Sequence, residues 1–278
     1  MMTGYVYSLL KDISENYRGE ELKTLYFGGG TPSLLPVELL EKIIKPFIFS
    51  KDYEFTLEIN PDDRDLAYFK QLKSLGVNRL SIGSQTFDDK ILKLIGRRHN
   101  SEQITEAVNL AKEAGCIITF DPNLRPPLWK SLEDARVEIE YGMSKCDVLK
   151  ISDNEVEFMC GTTDYDKGAA MIQEKYNIPL ILITMGKDGS RAYYKDMIVE
   201  AAPFLQENTI ETTGAGDTFC ASTLNYVLDH GLENLTEENL KELLTFANAA
   251  ASLITTRKGA LRVMPTREEV ESFIASRK

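Results

Sequence analysis

The sequence is poor in the residues that hold metal clusters or cross-link small secreted domains. Among its 278 residues are four cysteines, two histidines and one tryptophan. Cys116, Cys146, Cys160 and Cys220 are scattered, without a C-x-x-C pair. Neither a disulfide framework nor a thiolate metal site is therefore expected. We interpret the four thiols as reduced and buried, in a cytoplasmic protein.

Long apolar runs and an excess of positive charge are also missing. No segment approaches the length of a membrane span, and the polar N-terminus does not have the pattern of a signal peptide. With 32 basic and 43 acidic residues, the formal net charge is −11. This charge argues against nucleic acid or an anionic membrane as the main partner. None of these features determines the oligomeric state.

What the sequence does contain is a regular alternation of short apolar strands and amphipathic helices, joined by short turns. Such alternation predicts βαβ units and parallel strands. We expect an α/β fold, a three-layer αβα sandwich with a mostly parallel sheet in which strands from both halves of the chain share one core. Two separately folded α/β halves are the second interpretation, and a closed barrel is the third.

The most informative stretch is Thr212 to Phe219 (TTGAGDTF), which lies between a β-branched segment and a helical pattern. Gly214, Ala215 and Gly216 would allow backbone N–H groups to approach an anion at the positive end of the helix dipole. A carboxylate at Asp217 could take a proton from an attacking hydroxyl group. Taken alone, an ordinary glycine turn with Asp217 as the helix N-cap explains the same residues.

Further motifs follow one another from about Cys116 onward. They are Asp121 to Trp129 (DPNLRPPLW), Asn154 to Glu157 (NEVE), Thr184 to Gly189 (TMGKDG), Ala247 to Ser252 (ANAAAS) and Thr256 to Ala260 (TRKGA). Together with the glycine turn, this order of motifs resembles the nucleotide-binding half of sugar kinases of the ribokinase/fructokinase family.

That resemblance implies a role for several residues. Asp217 matches the catalytic base, and the three residues before it match the anion hole. Glu211 stands where the family usually has Asp beside a monovalent-cation loop, which weakens any expectation of potassium. Asn154 and Glu157 match a magnesium-linked motif, in which Glu157 would act on the ion indirectly. Thr184, Gly186 and Gly189 match residues that line the nucleotide pocket. Asn248 matches a residue that faces the nucleotide base. For Asn154 and Glu157 a solvated turn is an equal alternative.

Residues 5–115 resemble a different family, oxygen-independent coproporphyrinogen III oxidase and related radical S-adenosylmethionine (SAM) enzymes. The matching motifs are Tyr26 to Ser33 (YFGGGTPS), Glu58 to Pro61 (EINP), Arg79 to Gln85 (RLSIGSQ) and Leu94 to His99 (LIGRRH). In that family the glycine turn and the matches of Glu58 and Gln85 lie near bound SAM. The three cluster cysteines have no counterpart here, so no iron–sulfur cluster is expected, radical chemistry is excluded and SAM is not an expected ligand.

The two resemblances together predict a chimera. A radical-SAM-like segment (1–115) would be fused to a ribokinase-like nucleotide-binding segment (116–278) in one domain, with a crossover between about Glu106 and Thr119. The strand, lid hairpin and G-G-x-x-x-N helix that hold the sugar in such kinases have no visible match. A natural, degenerate kinase is the alternative origin.

The predicted function is accordingly that of an engineered chimeric protein with no native reaction. It would retain the ATP-binding and catalytic-base motifs of a fructokinase-like sugar kinase and bind Mg-ATP weakly or not at all. Two alternatives stay open. One is a weakly active ATP-dependent carbohydrate kinase that phosphorylates a sugar hydroxyl group, and the other is a module that binds ATP or SAM without turnover. His99 and His230 have no partners at metal-binding spacing and are expected at the surface.

Overall fold

The computed structural model describes residues 2–62 and 65–277 of the chain. They form two compact units, one ending at Cys116 and the other beginning at Ile117. Each unit has its own sheet and its own apolar core. No helix within the described ranges is both long and apolar enough to cross a membrane.

In the first unit, parallel strands alternate with helices. The strands are β1 (Glu21–Phe27), β2 (Ile48–Ile59) and β3 (Arg79–Ile82), and the helices are α1 (Met2–Asn16), α2 (Val37–Ile44), α3 (Leu66–Ser74), α4 (Asp89–Leu94) and α5 (Ser101–Glu113). The strands pair in the order β1-β2-β3, with Leu25 beside Phe55 and Leu57 beside Leu80. The parallel pairing follows from the helical crossovers between consecutive strands.

The two faces of this first sheet differ in polarity. Phe55, Leu57 and Ile59 point to one face, where they pack with Leu40 of α2 and Leu72 of α3. The intervening residues of β2 are polar, and on the other face they contact one another or the neighbouring strands. Glu54 pairs with Arg79 at 3.0 Å, Thr56 donates a hydrogen bond to Glu54 at 3.0 Å, and Glu58 accepts a hydrogen bond from Tyr26. The alternation has the two-residue period of a strand that buries one face.

The second unit begins with parallel strands and ends in an antiparallel hairpin. Its strands are β4 (Thr119–Phe120), β5 (Val148–Ser152), β6 (Leu180–Thr184), β7 (Ser190–Tyr194) and β8 (Met197–Ala201). Its helices are α6 (Leu132–Met143), α7 (Asp153–Cys160), α8 (Tyr165–Tyr176), α9 (Ala215–His230), α10 (Glu237–Ile254) and α11 (Arg267–Ser276). The strand order is β4-β5-β6-β7-β8, parallel as far as β6 and antiparallel beyond it.

Helices cover both faces of this second sheet. Along β6, Leu180 and Leu182 join the core formed with α9 and α10, whereas Ile181 and Ile183 join the core formed with α6, α7 and α8. All four side chains are fully buried. Burial of each such side chain stabilises the folded state by roughly 1.5–3 kcal/mol. A strand that is apolar at every position is what a sheet covered on both faces requires. The second unit is thus a three-layer αβα sandwich.

The predicted α/β class, with a mostly parallel sheet, is confirmed. The expected sharing of one sheet by both halves is not what the structure has, because the described strands form two sheets. The crossover predicted between about Glu106 and Thr119 implied one helix and one strand shared by both halves. Instead, α5 packs into the core of the first sheet through Ala111, whereas β4 pairs with β5 of the second.

The two histidines differ in exposure. His230 is exposed as expected, and its ring stacks on Tyr226 with 4.0 Å between centroids. The expectation for His99 was wrong, because this residue is only 3% exposed and its Nε2 lies 3.3 Å from the carbonyl oxygen of Ser84. A single histidine outside a periodic pattern carries no signal of burial in the sequence.

A helical glycine in the second unit gives a test of this packing. A Cβ atom added at Gly142 of α6 would lie 2.4 Å from the Phe120 ring. In Gly142→Ala, overpacking should therefore lower the free energy of unfolding by about 1–3 kcal/mol. The higher helix propensity of alanine would offset at most ~1 kcal/mol of that loss. We expect a lower melting temperature in thermal unfolding followed by circular dichroism.

The control is Gly4→Ala in α1, where the added Cβ would have no atom within 4 Å. This variant should keep or slightly raise the melting temperature. Equal behaviour of the two variants would contradict the close packing of α6 on β4.

Candidate functional site

The glycine turn that precedes α9 adopts the conformation expected of an anion-binding helix start. Gly214 is the N-cap residue, with φ 81° and ψ −2°, and supplies no side-chain cap. The first N–H groups of a helix have no intrahelical acceptors. Here the N–H of Ala215 donates to the carbonyl oxygen of Thr212 at 3.2 Å, so the N–H groups of Gly216 and Asp217 are those that an anion could accept from. Asp217 lies in the first turn of the same helix. The turn therefore places a carboxylate beside backbone donors.

Steric constraints explain both glycines of this turn. Gly214 has a positive φ, which costs other residues about 1–2 kcal/mol. A Cβ atom there would also lie 3.3 Å from side-chain carbons of Ala260 and Ile254. At Gly216 the nearest atom to an added Cβ would be Nζ of Lys150, at 3.2 Å. The turn thus packs closely against Ala260 and Ile254 at Gly214, and against Lys150 at Gly216.

The loop after α10 supports the turn from one side. Gly259 donates its N–H to Oε1 of Glu211 at 2.6 Å, and Ile210 donates its N–H to the carbonyl oxygen of Thr255 at 2.8 Å. Glu211, which the sequence marks as a departure from the family pattern, therefore joins these two loops. The same loop brings Ala260 against Gly214.

A buried ion pair lies on the sheet side of the turn. Nζ of Lys150, on β5, is 3.2 Å from both carboxylate oxygens of Asp121, which follows β4. Burial raises the pKa of the Asp121 carboxyl, and the ammonium group of Lys150 opposes that rise. Burial also raises the pKa of the Cys220 thiol to about 11, with Asp121 adding to the rise. Asp121 begins the DPNLRPPLW motif, which assigned it no role, and Lys150 lies outside the quoted motifs.

The predicted magnesium-linked residues lie at the start of α7. Asn154 and Glu157 are both exposed, and Glu155 between them is buried. Glu155 accepts hydrogen bonds from the N–H of Leu124 at 2.6 Å and from the N–H of Ser152 at 2.8 Å. The buried carboxylate therefore ties the segment after β4 to the helix start. The motifs did not indicate Glu155, although Ser152 and Glu155 have the spacing of a capping box.

The described residues offer little to a directly bound metal ion. Within them, no group of three or more His, Cys, Asp or Glu side chains is arranged to hold one. Both oxygens of Glu155 already accept hydrogen bonds from the protein. Exposed Asn154 and Glu157 would suit an ion that keeps most of its water, which is how magnesium usually binds in such sites. The indirect role of Glu157 stays a prediction.

The predicted nucleotide loop follows β6. Thr184 ends the strand, a short 3₁₀ turn covers Gly186–Asp188, and Gly186 has φ 55° with open space where a Cβ atom would lie. Gly189 has φ 94°, and a Cβ there would lie 2.2 Å from the carbonyl oxygen of Ala201. Gly189 is therefore required by the close approach of β8, whereas Gly186 leaves room beside the loop.

Asn248, expected to face a nucleotide base, is buried in α10 and bonded to the protein. Its Nδ2 donates to the carbonyl oxygens of Ala201 and Ala202, each at 3.1 Å, and its Oδ1 accepts from the hydroxyl of Ser190 at 2.9 Å. Both donor hydrogens are thus used. Asn248 therefore joins α10 to the ends of β7 and β8, beside Gly189.

Comparison with known proteins gives a consistent result. The family model described as pfkB family carbohydrate kinase matches residues 56–267. Probable fructokinase-2 of Arabidopsis thaliana is 33% identical over 246 residues, which cover 88% of this chain and 70% of that protein. Fructokinase-2 of Solanum lycopersicum is 39% identical over 169 residues, which cover 61% of this chain and 51% of that protein.

Solved structures show the same fold. The crystal structure of fructokinase from Vibrio cholerae O395, with fructose, ADP and calcium ion bound, superposes with a TM-score of 0.59. It is 18% identical and covers 92% of this chain and 97% of that one. A ribokinase-like α/β fold is therefore established for this chain.

The prediction of an engineered chimera without a native reaction was wrong. The matched region begins at residue 56, well inside the segment that resembled radical SAM enzymes, and the similarity to a fructokinase extends over 88% of the chain. These findings favour the alternative, a carbohydrate kinase, and give no support to a radical SAM segment. Glycine turns after parallel strands recur in unrelated α/β proteins, which explains how such a resemblance can mislead.

The bonding of Asn248 yields a test. Asn248→Ala would leave the hydroxyl of Ser190 and two carbonyl groups without their partner, at a cost of about 2–3 kcal/mol of unfolding free energy. Urea unfolding followed by fluorescence should show this loss. Asn154→Ala, at an exposed position, serves as control and should stay within about 0.5 kcal/mol of the original protein. Equal small effects of both substitutions would refute the structural role.

Proposed function

The chain belongs to the pfkB family of carbohydrate kinases, and from this membership we propose that it transfers the γ-phosphoryl group of ATP to a hydroxyl group of a sugar. The observation that carries the proposal is the start of α9, where Asp217 lies beside uncapped N–H groups. Phosphoryl transfer depends on positioning and charge stabilisation more than on covalent help. A base next to an anion-binding turn supplies both.

In the proposed reaction, Asp217 accepts the proton of the sugar hydroxyl as its oxygen attacks the γ-phosphorus. The new O–P bond forms while the bond from that phosphorus to the β-phosphate oxygen breaks, and ADP leaves. The N–H groups of the turn, aligned with the helix dipole, stabilise negative charge on the transferred group. Gly214 keeps these groups accessible because it contributes no capping side chain.

The loops around the turn are proposed to hold the nucleotide. Thr184 and Gly186 lie at the carboxyl end of β6, the edge at which ligands bind in open α/β sheets. Gly189 and Asn248 maintain the shape of that region through the contacts described above. Magnesium would arrive with ATP and neutralise charge on its phosphates, with Glu157 contributing through water.

We propose fructose as the first sugar to test. The relatives named above are fructokinases, and the Vibrio cholerae fructokinase structure contains fructose and ADP. The expectation of an inactive or weakly active protein rested on the chimera interpretation, which the family match overturns. We therefore expect turnover rather than background activity.

Asp217→Asn tests the proposed base. The amide cannot accept the proton, so kcat for fructose-dependent ADP release should fall by about 10²–10⁴-fold. A coupled assay of ADP formation, with and without fructose, measures the effect. Thermal unfolding should remain close to that of the original protein, since the substitution preserves size.

Asp229→Asn is the matched control, because Asp229 lies near the other end of α9 and pairs with Arg267 at 3.5 Å. Its kcat should be unchanged. A kcat for Asp217→Asn as high as that of this control would show that Asp217 is not the base. An original protein without sugar-dependent ADP release would refute the proposed function.

A further inference from the structure

Lys150 is a charged residue in an otherwise apolar strand. It lies in β5 between Leu149 and Ile151, both of which are fully buried. Its own side chain is 7% exposed. It shares a face of the sheet with Val148, which belongs to the core beneath α9 and α10. An ammonium group in such a place is costly unless it is paired.

The partner is Asp121, whose side chain is 13% exposed and whose two oxygens both lie 3.2 Å from Nζ. Stability alone does not account for this pair. Replacing a buried ion pair by apolar residues of similar size is often neutral or stabilising, because desolvation offsets the attraction of the charges. A role beyond folding is therefore to be sought for this buried ion pair.

The position of the pair relative to α9 suggests that role. Nζ of Lys150 lies 3.2 Å from the place that a Cβ of Gly216 would occupy, directly under the glycine turn. Its charge also reaches the next turn of the helix. The pKa of the Cys220 thiol is raised chiefly by burial and by Asp121, and Lys150 lowers it while Asp217 raises it.

We propose that Lys150, held in place by Asp121, is a positioning residue that fixes a positive charge beneath the first turn of α9 and so keeps Asp217 and the anion-binding N–H groups in their reactive arrangement. This inference rests on the proposed kinase function. A buried cation adds to the positive end of the helix dipole, where a transferred phosphoryl group gains negative charge. Besides Asp121 itself, the acidic groups that act on the pair are Glu155 of α7 and Asp217 of α9.

The first experiment separates charge from packing. Lys150→Met removes the charge and keeps the length of the side chain. We expect kcat for sugar-dependent ADP release to fall by about 10–100-fold, with KM for ATP changed by less than about threefold. Lys175→Met is the matched control, since Lys175 pairs with Glu140 at 2.7 Å on the exposed side of α8. Its kcat and KM should be unchanged.

A second pair of variants covers the case in which an unpaired Asp121 destabilises the fold. Asp121→Asn keeps the cation and a hydrogen-bond acceptor, and should lower kcat less than Lys150→Met does. The double variant Lys150→Met, Asp121→Asn should melt no lower than the original protein but retain the low kcat.

Recovery of the original kcat in the double variant would mean that the pair is only structural. A kcat in Asp121→Asn as low as in Lys150→Met would assign the effect to Asp121. Either outcome overturns the proposal.

Cys220 provides a readout that does not depend on kinase activity. Its rate of alkylation by iodoacetamide, followed at that site by mass spectrometry, reports the thiolate fraction. At a fixed pH it should be slower in Lys150→Met and faster in Asp121→Asn than in the original protein, and unchanged in Lys175→Met. An unchanged rate in Lys150→Met would show that the charge does not act at this turn. If the original protein lacked kinase activity, the proposed function would be refuted. The alkylation rates would then still show whether the charge of Lys150 acts at the start of α9.

Discussion

The packing of α9 against one face of the five-stranded sheet is the interaction on which the candidate site depends. Phe219 and Val227 of this helix lie in the same buried core as Val148 and Leu182 of the sheet. That core fixes the helix axis, and the axis fixes where the first turn presents its N–H groups. The carboxylate of Asp217 and the buried cation of Lys150 acquire a defined relation only because the helix is held in this way. The hydrophobic core therefore sets the position of the helix, on which the geometry of the proposed reaction depends.

Glycines allow backbone segments to approach closely where the site needs them. Gly214 combines a positive φ with contacts to Ala260 and Ile254, and Gly189 lies against the carbonyl oxygen of Ala201. Asn248 then donates hydrogen bonds to that carbonyl group and to the next one, of Ala202, at the end of β8. Close packing and hydrogen bonds to the neighbouring loops can keep the remaining free donors of such a turn aligned without reorganisation during a reaction.

Sequence motifs identified the family where they depend on local backbone conformation, and they misled where the surroundings of a segment decide. The glycine turn before α9 needs only glycine, a helix and an acid, and the order of the C-terminal motifs agreed with the pfkB family. The glycine turn of residues 28–30 has similar local requirements, and with three other motifs it led to a radical SAM assignment of the N-terminal segment that the comparisons do not support. At the start of α7 the sequence contains two overlapping polar-x-x-Glu pairs, Ser152 with Glu155 and Asn154 with Glu157. Only the position of the helix start shows that Glu155, not Glu157, is the buried carboxylate.

The sequence by itself determined the α/β class, the parallel pairing of most strands and the turn that carries Asp217. Each of these depends on periodicity or on the φ preference of glycine, which are properties of neighbouring residues. Tertiary structure alone decided that the strands form two sheets, that His99 is buried, that Asn248 bonds to Ser190 and that Lys150 pairs with Asp121 across 29 positions of the chain. These facts depend on which side chains meet after folding. Desolvation and pairing energies between residues distant in the chain leave no periodic trace in it.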